Sequence, residues 1–251
     1  MAAKKICNNT LMARPELKPH ERIILALDFP ELRIARFWVE GLRGRIKTFK
    51  VGPILFLDAW PIGLREFRDM GAEIFLDLKL HDIPSTVEKT ARQIVGYGVS
   101  MFTIHSLGGL DMMRAVADAV TGEAEKLHRD KPLVLAVTVL TSHDDDSLKK
   151  IGINSLAKDV VLTLASLADK AGVDGLVCSG REVEMLRKEF GDRFTLVVPG
   201  IRPAGEAHDQ KRVVTPAEAI SSGADYLVIG RAITEADDPD AVVEGIVGSI
   251  S

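Results

Sequence analysis

The chain has 251 residues, 46% of them apolar, the length of one α/β barrel with ample material for its core. Its 32 basic residues are outweighed by 36 acidic ones, and the net charge of −4 argues against a general nucleic-acid surface while leaving room for a local anion site. No apolar run approaches a bilayer span, and Cys7 and Cys178 have neither metal nor redox spacing, so a reducing cytoplasmic setting is expected.

Residues 1–20 hold no signal-peptide core and read as a mobile N-terminal extension ahead of one catalytic domain over 21–251. From Arg22 onward, short apolar runs rich in β-branched residues predict strands over 22–28, 46–50, 72–79, 100–105, 133–140, 175–179, 195–199 and 225–229. Amphipathic stretches between them, such as 108–124, 156–171, 182–190 and 216–222, predict helices. Strands alternating with helices imply parallel βαβ units, and eight of them predict a single-domain (β/α)8 TIM barrel. A doubly wound open sheet is the alternative. It usually has fewer strands and a glycine-rich first turn, and here that turn reads LDFPELRIA.

Barrel active sites lie at the C-terminal ends of the strands. Polar residues fall at those ends here: Asp28 after the first, Lys50 at the second, Asp77, Lys79 and Asp82 at the third, and His105 at the fourth. Thr141 and Ser142 follow the fifth, Arg202 the seventh and Arg231 the eighth.

The stretch DLKLHDIP, residues 77–84, is the most informative. Asp77 and Lys79 are two apart and share a strand face, while Leu76, Leu78 and Leu80 take the other. Charge on a covered face of a parallel sheet is costly unless it pairs or acts. The simpler reading is a structural Asp77–Lys79 ion pair, with Asp82 capping the helix that Pro84 opens. A catalytic reading is compatible with both. A lysine between carboxylates stays charged, which makes Lys79 a proton donor rather than a nucleophilic amine. His81 is off the Asp77/Lys79 parity and reads as non-catalytic, while His105 and His143 stay open.

Gly230 and Arg231 after the eighth strand suit a phosphate site: glycine admits close backbone approach and arginine offers a forked cationic donor. The long Gly- and Pro-containing loop after the seventh strand adds Arg202 and Gln210 and suits a lid. Asp144, Asp145 and Asp146 read as a solvated acidic turn, whereas the hydroxyls of Thr141 and Ser142 suit a polar ring edge. Cys178 reads as a small buried hydrophobe. No dinucleotide, Walker or zinc motif is present.

Taken together, LALD (25–28), FKVG (49–52), DLKLHDIPSTV (77–87), TVLTS (138–142), PGIRP (199–203), DQKR (209–212) and IGR (229–231) resemble the orotidine 5′-phosphate decarboxylase family over nearly the whole chain. The resemblance implies conversion of orotidine 5′-phosphate to UMP, in pyrimidine biosynthesis, without metal or organic cofactor. It implies that Asp28 and Lys50 hold the ribose, that Asp77 and Lys79 flank the scissile carboxylate, and that Thr141 and Ser142 meet the pyrimidine. Arg202, Gln210, Gly230 and Arg231 would bind phosphate. Asp82 would reach into the partner's site of a homodimer, and Thr86 in the same stretch would also bind substrate. Related barrels that share the D-x-K-x-x-D pattern are magnesium-dependent sugar-phosphate lyases. They hold their metal partly through a Glu near the place where this chain has Lys50. A catalytically silent nucleotide-binding barrel is a third reading, which would not need Lys79 between two aspartates.

Overall fold

The computed structural model describes residues 17–202 and 214–251. Among them, eight parallel strands pair in chain order, and the last returns to the first, closing a barrel. They are β1 (Ile23–Ala26), β2 (Thr48–Val51), β3 (Glu73–Leu80), β4 (Met101–His105), β5 (Leu133–Val137), β6 (Gly175–Val177), β7 (Thr195–Pro199) and β8 (Tyr226–Ile229). Around them run α1 (Leu32–Leu42), α2 (Pro53–Ala59), α3 (Ile62–Asp69), α4 (Pro84–Tyr97), α5 (Gly109–Leu127), α6 (Asp145–Lys150), α7 (Ala157–Ala171), α8 (Val183–Phe190), α9 (Pro216–Ser221), α10 (Arg231–Thr234) and α11 (Pro239–Ser249). The predicted TIM barrel is the observed fold. Predicted strands one, five and six overran at their C-terminal ends, where the chain leaves the sheet for the rim.

Strand alternation sorts the core into two compartments. Ile24, Ala26, Phe75, Met101, Leu135, Val197, Tyr226 and Val228 pack together in one cluster inside the barrel. Their neighbours in sequence, such as Ile23, Leu25, Ile74, Phe102, Val134 and Leu227, belong to the larger layer between sheet and helices. Leu17 packs against the inner cluster, and Pro19–Arg22 form a 3-10 turn leading into β1. The rest of the predicted N-terminal extension, residues 1–16 with Cys7, lies outside the described residues. Cys178 is buried as expected, and burial pushes its thiol well above the usual range.

At the N-terminal end of the barrel, polar side chains close off the helix ends. Gly98 ends α4 in the left-handed region, φ 65°, a conformation glycine adopts without a Cβ penalty. Arg68 and Arg129 donate to the carbonyls of Tyr97 and Gly96 there, at 2.7 and 3.0 Å. Asp225, 1% exposed, accepts from Arg187 at 2.6 Å and from the Leu196 N–H at 2.7 Å, so its buried charge is paired and hydrogen-bonded. No helix among the described residues is long and apolar enough to cross a membrane.

Candidate active site

The site begins with an irregularity in β3. Leu76 pairs with Phe102, but the next pairing is Leu80 with Ile104. Asp77, Leu78 and Lys79 thus stand opposite Thr103 alone, a bulge of the kind that re-aims side chains. Lys79 takes φ +49° within it, a left-handed conformation that costs a non-glycine residue roughly 1–2 kcal/mol. The fully buried Thr103 hydroxyl accepts the Lys79 backbone N–H at 2.8 Å and donates to Asp77 Oδ1 at 3.0 Å. Asp77 and Lys79 do meet, as the two-residue spacing predicts. They do so at a bulge, however, and not along a regular strand.

Four charged groups from three adjacent strands form a row. Lys50 Nζ lies 2.9 Å from Asp28 Oδ1 and 3.7 Å from Asp77 Oδ2. Lys79 Nζ lies 2.9 Å from both oxygens of Asp77. Lys50 and Asp77 are 8% and 9% exposed, so the centre of the row is desolvated and its charges neutralise one another. Gly52 leaves room for it: a Cβ there would stand 3.2 Å from Lys50 Nζ and 3.3 Å from Asp28 Oδ1. Above Asp77 and Lys79 opens a cavity of about 160 Å³, walled by Phe75, Val137, Val139, Leu140, Val177 and Val228, with Lys50 and Thr141 on its lining. Ammonium groups beneath an apolar wall can stabilise an anion forming in a flat ring, because little water competes with them.

The remaining predicted residues are placed unequally. Ser142 is exposed and does not line that cavity. Arg202 is 6% exposed, and its backbone N–H donates to the Val214 carbonyl at 3.2 Å. Gly230 is the N-cap of α10 and packs over Ala26, while Arg231 opens that helix and is exposed. Gln210, the DQKR stretch and the predicted lid lie outside the described residues.

Asp82 does not cap α4. Ile83 is the cap residue, Pro84 follows it, and Asp82 precedes the cap. Asp82 Oδ1 instead accepts from the neighbouring Ile83 N–H at 2.6 Å. Asp82 and Thr86 are exposed, and among the described residues no ion pair joins Asp82 to Lys79. The acidic turn is also more ordered than expected. Asp144 caps α6 through Ser147, and Asp145 accepts from the Ala157 N–H at 2.7 Å.

Sequence reasoning missed Thr103, whose only signal is a hydroxyl two residues before His105 on an otherwise apolar strand. His105 itself is stacked on His81, with ring centroids 5.6 Å apart. Burial first, and then the nearby His81, Lys79 and His143, push its pKa below the usual imidazole value. Its Nδ1 accepts the Leu107 N–H at 3.3 Å, as a neutral ring does. Among the described residues, no three His, Cys, Asp or Glu side chains group as a metal site requires.

Residues 21–246 match the family described as orotidine 5′-phosphate decarboxylase / HUMPS. The orotidine 5′-phosphate decarboxylase of Geobacter metallireducens is 45% identical over 231 residues, covering 92% of this chain and 96% of that protein. That of Moorella thermoacetica is 45% identical over 232 residues, 92% of each chain. The crystal structure of the Lactobacillus acidophilus orotidine 5′-phosphate decarboxylase superposes with a TM-score of 0.82 at 35% identity, covering 92% of this chain and 99% of that one.

Proposed function

The chain belongs to the orotidine 5′-phosphate decarboxylase / HUMPS family and is a carbon–carbon lyase, and on that premise we propose that it converts orotidine 5′-phosphate to UMP with Lys79 as the proton donor. The observation that carries this reading is the Lys79 ammonium, held 2.9 Å from both oxygens of Asp77 at the floor of the barrel mouth. Breaking the bond between C6 and the carboxylate releases CO2 and leaves an electron pair in the ring plane, where no π system delocalises it. A fixed ammonium beside C6 stabilises that pair and then transfers a proton to it. Solvent then reprotonates Lys79. Asp77, placed beside the leaving carboxylate, adds like-charge repulsion that CO2 loss relieves.

The other roles follow the geometry outward. Asp28 and Lys50, one exposed and one buried at the end of the charged row, suit ribose hydroxyls. Thr141 and Ser142 are assigned to the pyrimidine. Arg202, Gln210, Gly230 and Arg231 are assigned to the phosphate, whose binding energy holds the reacting end in place. Asp82 and Thr86 stand exposed beside Ile83, which is itself 64% exposed. That placement supports a homodimer in which each chain lends Asp82 to its partner's site, with Thr86 assigned to substrate binding. We place the enzyme in the cytoplasm, in pyrimidine biosynthesis.

The magnesium-dependent sugar-phosphate reading meets an obstacle in Lys50. Its ammonium already lies between the Asp28 and Asp77 carboxylates, and a divalent cation placed there would be repelled by it. The deciding test follows the absorbance change on conversion of orotidine 5′-phosphate, before and after dialysis against EDTA. We expect equal rates. A magnesium requirement with no turnover of this substrate would move the assignment to a sugar phosphate.

A further inference from the structure

We infer that Thr103 is a positioning residue for the Asp77–Lys79 pair, an inference that rests on the proposed reaction only for its kinetic readout. Three facts meet at this side chain. It is fully buried at the centre of β4. It faces the bulge at which three residues of β3 have one residue opposite them. Its single oxygen also joins the backbone and the charged end of the same lysine through a closed ring of hydrogen bonds.

The ring runs from the Lys79 N–H to the Thr103 hydroxyl, on to Asp77 Oδ1, and back through the Lys79 ammonium, with spacings of 2.8, 3.0 and 2.9 Å. Its directions are unambiguous. The Lys79 N–H can only donate, so the Thr103 oxygen accepts it, and the hydroxyl proton goes to the carboxylate. The bulge disrupts the regular pairing of β3 with β4 at this point, and the threonine hydroxyl supplies the acceptor for the Lys79 amide. That bond holds Lys79 in its left-handed conformation, and the second bond fixes the carboxylate toward which the ammonium turns. Thr103 touches neither the reacting carbon nor the phosphate. It acts through Lys79 and Asp77, and small displacements of a proton donor are costly in rate.

Thr103→Val keeps the shape of the side chain and removes both hydrogen bonds, whereas Thr103→Ser keeps the hydroxyl. For T103V we expect kcat to fall on the order of 10- to 100-fold while the affinity for UMP changes by less than about threefold, because ribose and phosphate contacts lie elsewhere. T103S should return to within about threefold of wild type. A crystal structure of T103V should show Lys79 leaving the left-handed region or its ammonium parting from Asp77. Wild-type kcat in T103V, or T103S as slow as T103V, would overturn the inference. So would an unchanged Lys79–Asp77 geometry in the T103V crystal. If T103V does not fold, Thr103→Ala takes its place in the same comparison with T103S. A wild-type protein inert toward orotidine 5′-phosphate would overturn the proposed function instead, and the crystal structures alone would then decide the role of Thr103.

Discussion

Lys79 turns its ammonium back onto Asp77, two residues earlier on the same strand, and meets both carboxylate oxygens at 2.9 Å. In a regular strand the two side chains would share a face about 6.6 Å apart, within reach of a lysine. The contact is made at the bulge between Leu76 and Leu80, with the lysine side chain about one-third exposed beside the cavity. Asp77 is the more buried partner, so the pair presents its cation to whatever enters the barrel mouth.

Replacing that cation is the direct test of the proton-donor role. Lys79→Ala removes both the counter-charge of the carbanion and its acid, and decarboxylation is expected to fall by at least roughly three orders of magnitude. UMP affinity should largely survive. A variant that retains turnover within about tenfold of wild type would remove Lys79 from the chemistry.

Arg231 is expected to act through remote binding. Arg231→Ala should lower kcat/KM by about 3–5 kcal/mol equivalent through loss of a charge-assisted phosphate contact. Phosphite dianion added with a substrate lacking the phosphate should stimulate the wild type more than the variant. If steady-state kinetics of the variant match wild type in both kcat and KM, the phosphate is bound elsewhere.

The exposed position of Asp82 yields a complementation experiment. Lys79→Ala and Asp82→Asn homodimers should each be nearly inactive. If the two are unfolded, mixed equally and refolded, about half the dimers are mixed by random pairing, and each of these has one site free of both substitutions. Roughly a quarter of wild-type activity should therefore return. No recovery, with mixed dimers demonstrated by mass spectrometry, means that Asp82 serves its own chain.

His105 sets a pH dependence of stability. Its folded pKa lies below the ordinary imidazole value because burial, and then His81, Lys79 and His143, disfavour the imidazolium. The unfolded chain therefore takes up the proton first as pH falls. The stability contributed by the neutral ring is complete above an unfolded pKa of about 6.5, and it is lost as pH drops from there through the lowered folded pKa. Urea midpoints should decline from about pH 7.5 to about pH 5.5, and the decline should be shallower in His105→Asn. Parallel declines in the two proteins would assign the effect to other groups.

The strand count, the barrel and the Asp77–Lys79 face were legible in the sequence because each is a matter of local period. Apolar runs alternating with amphipathic stretches announce parallel βαβ units, and a two-residue spacing announces a shared face. The simpler cap reading of Asp82 fails for a local reason: Pro84 takes the first helical position, so the cap falls on Ile83, one residue after the acidic one.

The pairing of strands decided the rest. Asp28, Lys50 and Asp77 are far apart in the chain, and they become one row because β1, β2 and β3 are neighbours in register, with Ala26 opposite Lys50 and Lys50 opposite Phe75. The bulge at Lys79 exists only relative to β4, so no property of β3 alone predicts it. Thr103 is an ordinary β-branched strand residue until that strand is laid beside Lys79. Sequence period determines which way a side chain faces, but the partner strand determines what it meets, and in this site the hydrogen bonds that orient the charges are all made between strands or across a bulge.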